Sequence, residues 1–425
     1  MKKVLILAPQ FPPCNLTAGH RTRLLARHLP EFGYHPIVMT SRQDLYEECF
    51  DMELMEMVVP HLELIQVGGI PVRPFRIIGD IGARTFFPML LAAGKLIKAG
   101  NVDLVCIPIP PNYTALLGPL LKAFYGTPFI VDYIDPWVYP ISDQDRQSTK
   151  AMVSHGINRI LEPIVAYTMD GVTGVAESYM EGIFQRHPQT RDLPRAGVPY
   201  GSESLDHLIA LEGYSNSEIL HDYQLTDCVT LVYAGAFLPR SVVVAKCLFE
   251  AVKACRSKLP LNFKIIFVGT GLNQDHATGP LTPLALECGV ADLVVEIPKR
   301  QPFGAILRLL HYASGVLVLG STEKHYTASK TFQALQSESS ILALLHEESH
   351  AAQLLQSMQG VSLSTFGDEF HQGISKPNFE NGFLNWLTKI GQKYKRTLEA
   401  LPEFTARSMA KKMAGLYDKV LGITN

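Results

Sequence analysis

Apolar and polar positions near the start of the chain follow two different periods in turn. Lys3 to Ala8 is an apolar run after its first residue, with β-branched members at Val4 and Ile6. Such runs suit the centre of a parallel sheet, covered on both faces. A Pro-rich loop, Pro9 to Pro13, leads into a polar stretch ending in Gly19-His20. Arg21 to Phe32 then places Leu24, Leu25, His28, Leu29 and Phe32 on one side, the spacing of an amphipathic helix. Gly33 stops it, and Pro36 to Thr40 predicts a second strand, giving a β-loop-α-β unit.

The alternation continues. Val102 to Ile107 predicts a strand with Tyr113 to Phe124 as its helix; Phe129 to Tyr133 and Gly171 to Val175 are further strands, the last followed by a helix around Ser178 to Gln185. A fresh series starts after residue 225, with strands at Val229–Tyr233, Phe263–Val268, Leu293–Ile297, Gly315–Leu319 and Ile341–Leu344. Phe404 to Leu421 reads as a final helix, capped by Thr405 and ended by Gly422. Strands alternating with helices mean doubly wound α/β sheets. The expected architecture is two Rossmann-like parallel-sheet domains, residues 1–210 and 225–400, with residues 401–425 as a terminal helical segment. Open α/β sheets bind ligands beyond the carboxyl ends of their strands, so two in series are expected to face a cleft.

Size and composition agree with this picture. A chain of 425 residues suits two domains of about 200 residues each. Hydrophobic residues at 47% and charged residues at 18% supply a large core. The net charge of -2 gives no global basic field, which argues against nucleic acid as a partner. Seven scattered cysteines, with no Cys-x-x-Cys, fit free thiols in a reducing cytoplasm. Val4 to Ala8 is too short for a leader's apolar core and reads as a buried strand; no run of about 18 apolar residues predicts a membrane span.

Candidate chemistry sits on the loops after these strands. Beyond Gly315–Leu319 comes Glu323-Lys324-His325-Tyr326-Thr327-Ala328-Ser329-Lys330, then a helical start at Thr331. A strand, a small-residue turn and a helix N-terminus present free N–H groups to an anion. Thr327, Ser329 and Lys330 could add hydroxyl and cationic contacts, making a diphosphate cradle; an ordinary cap with a solvated lysine satisfies the same pattern. Ala234-Gly235-Ala236-Phe237-Leu238-Pro239-Arg240 follows another strand, and its arginine is either a bidentate phosphate ligand or a surface residue in a Pro turn. Gly269-Thr270-Gly271 allows close approach to backbone but lacks the third glycine of a dinucleotide fingerprint. Pro298-Lys299-Arg300 is a basic turn in an equivalent position.

In the first half, Gly19 would let a phosphate or sugar approach, and His20 could donate a hydrogen bond or move a proton; a capping region is the plain alternative. In Asp132-Tyr133-Ile134-Asp135-Pro136-Trp137, a carboxylate could take a proton from a sugar hydroxyl and Trp137 could stack on a sugar face. Asp135 before Pro136 also suits a plain turn. Asp143-Gln144-Asp145 lies in a polar loop and reads as surface charge, so no metal is expected. Arg73 to Lys98 mixes apolar residues with five basic ones and suits either an anionic membrane surface or a crossover helix.

In order and spacing, these pieces resemble glycosyltransferase family 4, retaining enzymes of the GT-B architecture. The resemblance rests on Val4–Pro13 with Gly19, on Asp132–Trp137, on Pro199-Tyr200-Gly201-Ser202, and on Ser329-Lys330-Thr331-Phe332-Gln333. It implies that Gly19 faces the donor phosphates, that Arg240 and Lys330 neutralise a diphosphate leaving group, and that Tyr326, Thr327, Ala328 and Ser329 supply N–H contacts. Gly235, Gly269 and Lys299 would complete the donor site, with Lys299 near the base. Asp135 and His20 become the candidate catalytic residues, and Asp132 and Trp137 would line the acceptor region. The last helix would cross back onto the first domain. No cofactor is implied beyond a UDP- or GDP-sugar co-substrate, and the acceptor would be a glycan or a lipid-linked chain. Where many members carry two glutamates, this chain has His325 and Gln333, and Ile134 replaces a common basic residue. Gln333 could hold a ribose hydroxyl without charge. Two other functions fit the same residues: a GT-B subunit that binds sugar nucleotide without turnover, and a nucleotide-sugar epimerase.

Overall fold

A computed structural model describes residues 1–48, 50–74, 76, 78–138, 149–212, 217–271, 279–321, 330–371, 379–396 and 402–423. The chain divides into two compact units, Met1–Glu203 with Pro402–Asn425, and Ser204–Leu401. The helix Ser204–Leu211 belongs to the second unit, so the chain leaves the first unit earlier than residue 210.

The first unit holds a seven-stranded parallel sheet. Its strands are β1 (Lys2–Leu7), β2 (Tyr34–Ser41), β3 (Glu63–Val67), β4 (Leu104–Ile109), β5 (Phe129–Tyr133), β6 (Gly171–Gly174) and β7 (Arg195–Gly197), in the order β3-β2-β1-β4-β5-β6-β7. Strand alternation sends Leu5, Leu7, Val105, Ile107 and Val131 to one face, under the helices Phe86–Lys98, Leu117–Tyr125 and Thr149–Ala166. Val4, Ile6, Cys106 and Ile130 line the other face, under Thr17–His28 and Ala406–Leu421. The final helix therefore belongs to the first unit's core. Its lead-in pairs with residue 202: Ser202 N–H donates to Phe404 O (2.8 Å) and Ala406 N–H to Ser202 O (2.8 Å). Thr405 Oγ1 accepts from Ser408 N–H at 3.0 Å, the N-cap that its sequence position suggests, and Gly422 ends the helix at φ 66°.

The second unit holds a six-stranded parallel sheet: β8 (Val229–Ala234), β9 (Phe263–Val268), β10 (Val294–Ile297), β11 (Gly315–Leu319), β12 (Ile341–His346) and β13 (Val361–Phe366), ordered β10-β9-β8-β11-β12-β13. Leu231, Tyr233, Ile265, Phe267, Leu317 and Leu342 pack beneath Val242–Ala254, Leu281–Cys288 and Phe379–Leu387. Fully buried Trp386 donates its Nε1–H to Ser340 Oγ (3.1 Å), so its one polar atom is satisfied. The helices Ser204–Leu211 and Phe303–Tyr312 are joined by Arg308, whose Nη1 donates to Ala210 O at 3.1 Å.

Two local expectations change. The first helix spans Thr17–His28, and a 3₁₀ turn, Leu29–Phe32, carries the chain to Gly33. Gly19 and His20 thus stand inside the helix rather than on the loop before it. The helix around residue 113 begins as a 3₁₀ turn, Asn112–Leu116, and becomes α-helical at Leu117–Tyr125.

Candidate functional site

In each sheet the strand order reverses beside its first strand, between β1 and β4 and between β8 and β11. Such switch points open a crevice at the carboxyl ends of the strands, because the flanking connections leave to opposite faces.

In the second unit that crevice gathers three predicted residues. β8 ends at Ala234, and Gly235 follows with φ 121°, a region that side-chain-bearing residues rarely enter. β9 ends at Val268, followed by Gly269 at φ 70°. The two glycines are neighbours: a Cβ on Gly269 would lie 3.8 Å from the Gly235 Cα. Lys330, the first residue of the helix Lys330–Gln336, lays its side chain across Gly235, where a Cβ would fall 2.9 Å from Nζ. Glycine at 235 is therefore required twice, by φ and by the lysine. The Lys330 Nζ donates to Tyr233 Oη (2.6 Å) and to Ala236 O (2.8 Å), and sits 4.3 Å from the Tyr233 ring centroid. With no carboxylate among these partners, burial pulls its ammonium down to about 7.

Other predicted residues line the same edge. Gly269 N–H donates to Ile297 O (2.8 Å), and Gly271 N–H to Pro298 O (3.0 Å), which ties the turn after β9 to that after β10, where Lys299 is exposed. Arg240 is exposed in the 3₁₀ turn Pro239–Ser241, at the entry to Val242–Ala254. Gln333 is half-buried, and its Oε1 lies 2.8 Å from His207 Nε2. Burial lowers the His207 pKa, so its neutral ring donates Nε2–H to that amide oxygen. Tyr326, Thr327, Ala328 and Ser329 lie outside the described residues, as do His325, Asp143 and Asp145. Tyr233 and His207 escaped the sequence reading. Tyr233 sat within a predicted strand, and nothing in the spacing ties His207 to a helix more than a hundred residues away.

The first unit uses its predicted residues differently. Asp132 and Trp137 are both fully buried. Asp132 accepts from Arg21 Nε (2.6 Å), Arg21 Nη2 (3.0 Å) and Thr173 Oγ1 (2.6 Å), a closed network joining β5, β6 and the first helix. Burial opposes the Arg21 charge, but the Asp132 carboxylate outweighs it and holds the guanidinium above its ordinary value. Trp137 packs among Val131, Val165 and Met180. Neither side chain presents surface to an acceptor in this structure, because each completes the core beneath the strand ends. Asp135 is exposed just beyond β5, and desolvation raises its carboxyl above the ordinary range. Gly19 faces backbone of its own chain: a Cβ there would stand 3.3 Å from Cys14 O and 3.5 Å from Gln10 O. Its missing side chain thus lets the first helix close on the loop after β1. His20 bridges Asn15 Oδ1 (2.9 Å) and Arg23 Nη2 (3.3 Å).

The first unit's switch point holds a cavity of about 200 Å³ that the sequence did not single out. Gln10 after β1, Pro110-Pro111 after β4, and Glu47, Glu48, Asp80 and Arg84 line it. Arg84 donates to Leu45 O (2.9 Å) and Glu47 Oε1 (3.1 Å), while Gln10 Nε2 donates to Glu48 Oε1 (2.8 Å). Burial raises the Asp80 carboxyl, which caps Ile81–Arg84 through Ala83 N–H (2.8 Å). Gln10, three residues after β1, and Pro110-Pro111, directly after β4, are the members that a strand-end position could have flagged.

No protein-family profile and no curated protein sequence matches this chain. Solved structures do. A sucrose-phosphate synthase from Thermosynechococcus elongatus aligns over 100% of both chains, with TM-score 0.60 and 13% identity. HepE from Anabaena, in complex with UDP and glucose, aligns over 99% of this chain and 100% of its own, with TM-score 0.59 and 14% identity. A UDP-GlcNAc 2-epimerase from Methanocaldococcus jannaschii aligns over 99% and 100%, with TM-score 0.52 and 12% identity. At these identities the likeness establishes the fold, which is GT-B: two Rossmann-like parallel-sheet units in one chain.

Proposed function

We propose that the protein is a metal-independent glycosyltransferase of the family 4 type. In this reading it moves a sugar from a UDP- or GDP-sugar to a glycan or lipid-linked acceptor, with retention, in surface-polysaccharide assembly on the cytoplasmic side of the cell membrane. The observation that carries the proposal is the meeting of Gly235, Gly269 and Lys330 at the second switch point. Two glycines clear room for a phosphate against backbone, and among the described residues the lysine's hydrogen-bond partners are the neutral Tyr233 hydroxyl and Ala236 carbonyl. Solved structures of this fold with UDP bound support the nucleotide class.

The chemistry follows from those positions. Lys330, with Arg240 entering from the next turn, neutralises charge that grows on the diphosphate as the sugar–phosphate bond breaks, an electrostatic form of catalysis. Tyr326, Thr327, Ala328 and Ser329 add N–H contacts, and Lys299 meets the base. Asp135, its carboxyl raised, and His20 serve proton movement at the acceptor hydroxyl, beside which Asp132 and Trp137 hold the loop. The sugar accepts its new bond on the face the diphosphate leaves.

A second reading, a GT-B subunit that binds sugar nucleotide without turnover, is favoured by one contact. The Gln333 carbonyl is engaged by His207, so a neutral amide already committed inside the protein stands where a ribose-binding carboxylate is expected. Calorimetric titration with UDP, GDP and ADP, on the native chain and Lys330→Ala, tests both. Binding of one nucleotide that the variant loses, followed by turnover with an acceptor, supports the transferase. Binding without turnover selects the subunit, and sugar isomerisation without acceptor selects an epimerase. No binding by any nucleotide rejects all three.

A further inference from the structure

The first unit carries an apolar surface that none of this chemistry uses. The helices Phe86–Lys98, Leu117–Tyr125 and Thr149–Ala166 form one layer on the Leu5 and Leu7 face of the sheet, with Met89, Ala93, Leu121, Val165 and Ala166 turned inward. Away from the sheet, Phe87, Leu91, Phe124, Val153, Ile160 and Ile164 are 48–72% exposed. Val153, Ile157, Ile160 and Ile164 recur at the spacing of one helical stripe. Single exposed apolar residues are ordinary, but neighbouring stripes on adjoining helices mark an interaction surface.

Charge indicates what covers it. Lys95 and Lys98 continue the Phe87–Leu91 stripe along the same helix, and Arg159 lies between Ile157 and Ile160; all three are exposed. The only acidic residue in the three helices is Glu162, which is buried and bound by Arg186 (2.7 and 2.8 Å). An apolar stripe edged by cations, on three helices that expose no carboxylate of their own, suits a layer of acyl chains under anionic headgroups. Aromatic rings at Phe87, Phe124 and Tyr167 suit the same boundary.

We propose that this three-helix face seats the first unit on an anionic lipid bilayer. The apolar stripes enter the headgroup–acyl boundary, and Lys95, Lys98 and Arg159 meet the lipid charges. The proposal deepens the membrane-side localisation above and does not depend on the transferase chemistry.

Sedimentation of the full chain with vesicles tests it. The native protein pellets with equimolar phosphatidylglycerol and phosphatidylcholine at low salt, and stays in solution with phosphatidylcholine alone. Ile160→Glu with Ile164→Glu weakens vesicle binding at least about tenfold, and Lys95→Glu with Lys98→Glu weakens it about fivefold or more per residue. These positions are exposed, so the thermal midpoint and any nucleotide binding stay unchanged. The proposal is overturned by native protein that ignores both vesicles, or by vesicle binding that neither pair alters. It is equally overturned by a dimer that the apolar pair dissolves without any vesicle binding, which would give the face to a second copy. Failure to bind any nucleotide would remove the transferase reading and leave the vesicle result standing.

Discussion

In the proposed donor site, Lys330 would make nucleotide binding a proton-linked event whose size follows from its surroundings. Its ordinary pKa is 10.5, and burial on the Tyr233 hydroxyl and the Ala236 carbonyl brings it to about 7. At pH 8 about nine-tenths of the free protein then carries a neutral amine at this position. A diphosphate beside it favours the ammonium and raises the pKa again. Binding at pH 8 should therefore take up about 0.9 proton, falling to about 0.5 at pH 7. The same linkage weakens binding about tenfold per pH unit above 7. The nucleotide's own phosphate titrates near pH 6, as phosphate monoesters do, so it is silent at pH 8. Calorimetry with UDP in buffers of different ionisation enthalpy reads the uptake directly. Lys330→Met should remove both the uptake and the pH dependence. An uptake near zero at pH 8 in the native protein, with affinity flat from neutral to alkaline pH, would refute the reasoning. The sign for stability runs the same way. Above about 7 the unfolded chain holds the proton that the folded one has lost, so the free protein gains stability as pH rises from 7 toward 10.5.

Three further outcomes check the packing around the sites. Gly235→Val meets a φ of 121° and the Lys330 side chain together, so it should cost about 1–3 kcal/mol in denaturant unfolding and abolish nucleotide binding. Asp132→Asn leaves the buried Arg21 guanidinium without its counter-charge and should lower stability by about 3–5 kcal/mol. Adding Arg21→Met should recover part of that loss, and a double variant no more stable than the single would argue against the ion pair as the cause. Thr405→Ala removes the cap on Ser408 N–H and should cost about 1 kcal/mol in urea unfolding, with little effect on ligand titrations.

The sheets were legible in the sequence to the degree that their strands are buried on both faces. β5, β9 and β11 appear at the bounds their apolar runs predict, because a central parallel strand has no solvent side to interrupt the run. The three strands without a signal, β3, β7 and β13, all stand at sheet edges. There Glu63 and Gln66, Arg195, and Ser362 with Ser364 break the hydrophobic pattern, since an edge strand needs apolar cover on less of its surface. The helix Thr149–Ala166 was illegible for the opposite reason. Leu161, Val165 and Ala166 supply the inner stripe while Val153, Ile157, Ile160 and Ile164 supply an outer one, so no polar face marks the period.

Site residues divide along a related line. Sequence position says which loop follows which strand, and that sufficed to bring Gly235, Gly269 and Lys330 to one edge. It does not say whether a side chain at a strand end turns outward or closes the core. Asp132 is the instructive case. A carboxylate ending an apolar strand reads as chemistry, yet Arg21 on the first helix and Thr173 on the neighbouring strand consume its hydrogen bonds. Asp135, three residues on, is past the last ladder pair at Tyr133 and Gly174 and is exposed. The division between them follows from the network itself. A buried ion pair needs each oxygen satisfied to offset its desolvation, so a carboxylate with its bonds closed inside the fold is fixed in place. One left outside that network keeps its oxygens at the surface. By that physical test Asp135, rather than Asp132, is the accessible carboxylate of this strand end, with Asp132 fixed in the core beneath it.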